Sequence, residues 1–200
     1  MDKELKELER RTYLTYMDDG LLDLFVGWFL FFFSAGLAPG IDFPYLFMIA
    51  YLPIWLSAKR LVVYPRIGKV EFGPERKERM RNEKSFFVIF LSATSLLGMM
   101  FFLLYTPGAF PEEIAQAVRG LRLVPLALII AAGLAFVAYW KQLNRFYAYA
   151  VLMGAMSIGG HVLGAEPYLY FLIPGMMIGL AGLAQLINFT QRYPLPKEGR

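Results

Sequence analysis

Charge is missing from most of this chain. Long apolar runs, each about the length that crosses a bilayer, alternate with short polar punctuation: Leu21–Ala38, Ile41–Ala58, Phe86–Tyr105, Leu121–Trp140, Phe146–Leu163 and Tyr168–Phe189. A helix needs about 20 predominantly apolar residues to span hydrocarbon, and a lipid-exposed chain must satisfy its backbone internally, which selects helices. Of the 200 residues, 58% are hydrophobic and only 18% are charged, against about 25% charged in ordinary soluble domains. These features predict an all-α membrane protein of six transmembrane helices in three hairpins, forming one domain over residues 1–200.

The punctuation supports that division. Pro39-Gly40 closes the first run, Thr106-Pro107-Gly108 the third, and Gly164–Pro167 separates the fifth from the sixth. Pro111 with Glu112 and Glu113 marks the start of a short helix, because proline suits the first helical position and acids suit the positive end of the helix dipole. Pro53 and Pro174 fall inside apolar runs, and Pro125 falls near the start of one. There they would free backbone groups. Ahead of the first run, residues 1–19 place Leu5, Leu8, Thr12 and Tyr16 at helical spacing with charges opposite, the pattern of an amphipathic surface helix.

The longest polar stretch between two apolar runs is Lys59–Lys84, which carries nine Lys and Arg residues against four acids and sits in a linker of residues 59–85. Cytoplasmic loops are enriched in Lys and Arg. With six spans, both termini and this linker share one side. That side then holds Lys3, Lys6, Arg10, Arg11, the nine linker cations, Lys141, Arg145, Arg192, Lys197 and Arg200, eighteen of the twenty basic residues. The expected location is the cell membrane, multi-pass, with both termini cytoplasmic. Within the linker, Arg66–Phe72 (RIGKVEF) alternates apolar and polar after Tyr64-Pro65, which predicts a short extended segment. Gly73-Pro74 then predicts a helix start. Arg60, Arg66, Lys69, Arg76, Lys77, Arg79 and Arg81 form a basic surface for anionic headgroups or for a membrane or cytoplasmic protein partner. Nucleic acid is not expected, because most aromatic residues lie in apolar runs rather than beside the cations.

Two motifs carry a resemblance. Asp18–Gly27 (DDGLLDLFVG) and Tyr64–Phe72 (YPRIGKVEF) resemble a family of small archaeal and bacterial integral-membrane proteins of uncharacterised function. In that family an Asp-Gly-Leu start precedes the first span and a Pro-Arg-Ile/Leu-Gly element follows the second. The resemblance covers about the first 75 residues, and Lys69 stands where the family pattern has an aromatic. It implies a six-span architecture and no activity.

Candidate chemistry is sparse. Asp18, Asp19 and Asp23 cluster at the start of the first run, and Asp19 and Asp23 share a helix face. They would suit Mg²⁺ and a diphosphate substrate, but the second acidic motif such chemistry requires is missing. The plainer reading is that Asp18 or Asp19 caps the helix while Asp23 pairs with Arg60 or Arg66. His161 and Glu166, near the ends of the fifth and sixth runs, would form a proton-sensitive pair or a ligand contact; a lone histidine more often caps carbonyls. With no cysteine and one histidine, thiolate and multi-histidine metal sites are excluded, and no cofactor is expected. Gly160-xxx-Gly164 and Gly175-xxx-Gly179 permit close backbone approach within the last hairpin or across a dimer face. The function these features favour is a non-enzymatic membrane component acting through a partner. A small-molecule or lipid carrier is the alternative, and a metal-dependent lipid-modifying enzyme the weakest reading.

Overall fold

The computed structural model describes residues 17–40, 53–67 apart from 55, 120–195, and the single positions 99, 103, 111, 113 and 116. The amphipathic surface helix, most of the second and third apolar runs, and Lys69, Arg76, Lys77, Arg79 and Arg81 lie outside the described residues.

Five α-helices and one π-helical turn are described: α1 (Leu21–Leu37), a π-turn (Lys59–Val63) running into α2 (Tyr64–Ile67), α3 (Val124–Lys141), α4 (Arg145–Val162) and α5 (Leu169–Arg192). The chain falls into two compact units, one of Met1–Phe72 with Leu172–Arg200 and one of Gly73–Phe171.

The six-span bundle does not appear. Among the described residues, two helices, α3 and α5, are long and apolar enough to cross a membrane. α1 is apolar but ends after 17 residues, because Ala38 turns extended and Gly40 takes φ 77° beside Pro39. α4 has 18 residues but misses the apolarity, since Arg145, Ser157, His161, two tyrosines and three glycines dilute its aliphatic content.

The extended linker segment is also corrected, as far as it is described. Tyr64–Ile67 is helical, not a bend leading into a strand. A proline inside a helix lacks a donor and presses on the carbonyl four residues back. Here the preceding turn widens, with the Tyr64 N–H donating to the Lys59 carbonyl five residues back, so the helix passes through Pro65 instead of breaking. Arg66 then folds back, its Nη1 donating to the Val62 carbonyl at 2.7 Å.

In the unit of Gly73–Phe171, α3 and α4 form a helical hairpin through Gln142–Asn144. Gln142 takes φ 56° and its N–H caps the Ala138 carbonyl. α3 buries Val124, Ala127, Ala131, Leu134 and Ala138, a three-four spacing that keeps one narrow stripe inward. α4 buries Phe146, Tyr149, Met153 and Ser157. Three alanines on the buried stripe let helices approach closely.

In the unit of Met1–Phe72 and Leu172–Arg200, α1 lies against the glycines of α5. A Cβ on Gly182 would come 2.6 Å from the Leu24 nitrogen, and one on Gly175 would come 2.8 Å from the Phe31 nitrogen. A Cβ on Gly27 would meet the backbone of Gly179. The glycine face of α5 is therefore filled by α1. At one end of this crossing Leu21, Val63 and Phe189 form a buried cluster, with Leu24, Ala58, Ile67, Leu186 and Tyr193 packed around it. The second glycine pair behaves differently. Gly160 makes room for the Tyr170 ring, which a Cβ would meet at 2.6 Å, and Gly164 is a turn residue at φ 68°.

Candidate functional site

The start of α1 concentrates the buried charge. Gly20 precedes the helix in the left-handed region, φ 75°, which glycine adopts without a Cβ penalty. A side chain there would also collide with the Gly182 carbonyl and with Gln185. Because Gly20 has no side chain to cap with, the residue before it supplies the acceptor: the Leu21 N–H donates to Asp19 Oδ1 at 2.9 Å. The other oxygen, Oδ2, faces Lys59 Nζ at 3.4 Å. Asp19 is 1% exposed and Asp23, one turn on, is 0% exposed. Burying an ammonium and a carboxylate separately would cost several kcal/mol each, so the two are retained as a pair. Asp23 also has partners within the fold, and its Cβ lies 2.9 Å from where a Cβ on Gly182 would stand. Gln185 Oε1 is buried with no hydrogen bond.

The cation reaching this acidic corner is Lys59, not Arg60 or Arg66. Lys59 is on the same side of its helix as Val63, and both are buried; Val63 packs with Leu21. Arg60 is exposed and Arg66 is committed to Val62. Asp18, the first acid of the motif, is exposed. The three aspartates are therefore not equivalent. One faces solvent, one caps and pairs, and one is packed under α5. Among the described residues no group of three His, Asp or Glu side chains is arranged to hold a metal ion.

His161 and Glu166 belong to the other unit, at the turn between α4 and α5. No hydrogen bond or ion pair joins their side chains: Glu166 is exposed and His161 Nδ1 is buried without a hydrogen-bond partner. Two residues not singled out from sequence organise this turn. Arg122 Nη1 donates to the Ala165 carbonyl at 3.1 Å, and the Tyr170 hydroxyl donates to the same oxygen at 3.3 Å. The Ala165 N–H closes the turn on the Gly160 carbonyl at 2.8 Å. Gly160 beside a following Tyr170 is a legible signal after the fact, since a ring that large needs a missing Cβ somewhere.

The proline kinks expected to open a cavity differ among themselves. Pro125 sits at the start of α3, where its missing donor costs nothing. Pro174 lies inside α5 and is fully buried. Pro53 borders an open apolar groove with Ile54, Ser57, Ala58, Leu61 and Val62.

No protein-family model, no curated protein and no solved structure matches the chain. What fold and site define together is a class: a protein that is all-helical among its described residues, two of whose described helices are long and apolar enough to cross a membrane, with a buried Asp–Lys pair at the start of its first described helix.

Proposed function

We propose that this chain is a multi-pass integral membrane protein, non-enzymatic, that acts through a protein partner at its basic cytoplasmic face. The observation that carries the membrane part is the large apolar surface that α1 and α5 leave exposed, opposite buried faces that include glycines and a serine. Gly175, Ile178 and Gly182 of α5 are buried, while Ile173, Met176, Met177, Leu180, Leu183 and Ile187 are exposed. On α1, Gly27 and Ser34 are buried, while Trp28, Phe29 and Phe31 are more than a third exposed. A water-solvated helix shows the reverse, and large exposed apolar surfaces need an apolar medium or partner. Glycines and a serine on the buried faces let helices approach closely, which suits packing in lipid. The buried serines fit as well, Ser34 donating to the Phe31 carbonyl at 2.6 Å and Ser157 to the Gly154 carbonyl at 3.0 Å. Each satisfies itself within its own helix.

The partner part rests on charge and on the acids. Lys59–Lys84, Lys141, Arg145, Arg192, Lys197 and Arg200 all belong to the cytoplasmic side under the positive-inside bias, with Arg119 and Arg122 opposite. This orientation puts both termini in the cytoplasm. Asp19 is occupied as a cap and ion pair, which supports a structural role for the acidic motif over metal chemistry. The resemblance of Asp18–Gly27 and Tyr64–Phe72 to small integral-membrane proteins points the same way.

The deciding experiment is extraction of native membranes with alkaline carbonate and with urea. The chain is expected to stay with the membrane and to be released only by detergent. Release by carbonate overturns the membrane reading. Purification from those membranes in mild detergent should then retain a partner that Arg76→Glu with Arg79→Glu removes; a chain that purifies alone overturns the partner reading.

A further inference from the structure

Among the described residues, the helical segment that carries Lys59 packs one face into the fold. Lys59 and Val63 face inward. The opposite face presents Pro53, Ile54, Ser57, Leu61 and Val62 around an open apolar groove of about 500 Å³, with Ala58 at the border between this groove and the inner cluster. Ile54 is 55% exposed and Leu61 74% exposed. The spacing of Ile54, Ala58 and Val62 is four residues each time, so the groove runs along the helix axis.

The C-terminal end of that line is cationic. Arg66 is four residues beyond Val62, and its guanidinium lies back over that residue, held by the Nη1 bond to the Val62 carbonyl at 2.7 Å. Its Nε is buried with no hydrogen-bond partner. The Nη1 bond and the buried Nε fix the guanidinium in place, and a fixed guanidinium attracts an anionic phosphate through charge-assisted hydrogen bonds. Arg60, on the same short segment, is exposed. The surface thus joins an apolar track to a fixed, partly exposed cation, Arg66, and a fully exposed one, Arg60. A free phosphate would leave the track empty, and a lipid without net charge would leave the two cations uncompensated.

We propose that this face binds an anionic phospholipid, one acyl chain lying along Ile54, Ala58, Leu61 and Val62 and the headgroup phosphate resting on Arg66 with Arg60 beside it. The inference rests on the membrane reading above and adds a defined lipid site to it. The site is next to the buried Lys59–Asp19 pair along the same helix, so a bound lipid would hold the segment from outside while the pair holds it from inside.

The test is native mass spectrometry of the full chain in mild detergent. Phosphatidylglycerol and phosphatidylcholine with identical acyl chains are added separately, and inorganic phosphate serves as competitor. One phosphatidylglycerol is expected to remain bound under activation that strips phosphatidylcholine. Arg66→Gln should lower its retention about tenfold, the size of one charge-assisted hydrogen bond. Arg60→Gln, on an exposed side chain, should lower it less without changing the melting temperature, and keeps the test decisive if Arg66→Gln does not fold. Leu61→Ser should weaken both lipids. Equal retention of the two lipids overturns the proposal. So does unchanged phosphatidylglycerol retention in folded Arg66→Gln or, where that variant does not fold, in Arg60→Gln. Displacement by millimolar inorganic phosphate also overturns it, because the headgroup alone would then account for binding. A chain that stays in carbonate-washed membranes yet shows no headgroup preference sinks this site alone, whereas a chain released by carbonate removes the membrane reading first.

Discussion

Asp19 does two jobs with two oxygens, and each can be removed separately. Asp19→Asn keeps an acceptor for the Leu21 N–H but removes the carboxylate charge 3.4 Å from Lys59 Nζ, in a site where the lysine side chain is 10% exposed. Removing one partner of a buried pair costs about 3–5 kcal/mol, so a clear drop in melting temperature in detergent is expected. Lys59→Met should cost a similar amount. The double variant, Asp19→Asn with Lys59→Met, should recover part of the loss, since it removes both charges. Additive losses in this cycle would show that the 3.4 Å contact is not an energetic pair. The glycines make a second residue-scale contrast. Gly27→Ala forces a Cβ into the backbone of Gly179 and within 2.8 Å of the Gly175 carbonyl, and backbone cannot move aside cheaply; about 1–3 kcal/mol of destabilisation is expected. Gly154→Ala meets only Leu128 Cδ2 at 3.9 Å and should be neutral or stabilising by up to about 1 kcal/mol, the helix-interior cost of glycine. Equal melting temperatures for the two variants would contradict the close crossing of α1 with α5.

At the level of elements, the helices α1, α3, α4 and α5 begin and end within a few residues of the apolar runs that announce them. Hydrophobic run length, Pro-Gly punctuation and positive-φ turns at Gly40 and Gly164 are local properties, and local properties can be read along a sequence. Which glycine meets which neighbour is not local. Gly175 and Gly179 pack on α1 across a long stretch of intervening chain, and nothing in their own spacing distinguishes that partner from α4 or from a second copy. The acid–cation contact at the head of α1 was legible as a need, because a buried aspartate requires a partner, but the choice of Lys59 over Arg66 depends on the widened turn before Pro65. The turn between α4 and α5 tests the same idea. Tyr170→Phe removes one of two donors to the Ala165 carbonyl and leaves Arg122 in place. A loss of about 0.5–1.5 kcal/mol is expected, enlarged in Tyr170→Phe with Arg122→Gln. A double variant no weaker than the single would show that the two donors are not holding one oxygen.

For the whole molecule, orientation is the property to measure. The chain has no cysteine, so a single introduced cysteine is a unique label without further engineering. Leu121→Cys precedes α3 beside Arg122, and Leu195→Cys follows α5; both positions are exposed. Under the orientation proposed from the basic residues, a membrane-impermeant maleimide should label Leu121→Cys in intact cells and Leu195→Cys only after permeabilisation. The opposite pattern reverses the orientation, and labelling of both in intact cells rules out α3, α4 and α5 as three successive crossings.

The π-turn also bears on how the chain can change length. A π-turn holds one residue more than an α-turn, so Lys59–Val63 carries a residue that the helix does not need for continuity. Deleting Leu61 should let the turn relax to ordinary α geometry while Lys59 and Val63 still face Asp19 and Leu21. The same deletion anywhere inside α1 would rotate every residue beyond it by about 100° and pull the glycine crossing out of register. A scan of single-residue deletions, scored by the amount of folded protein in the membrane, is therefore expected to show one tolerant window at residues 60–62. Length variants of the chain should gather at that window before they appear in the rest of its helices.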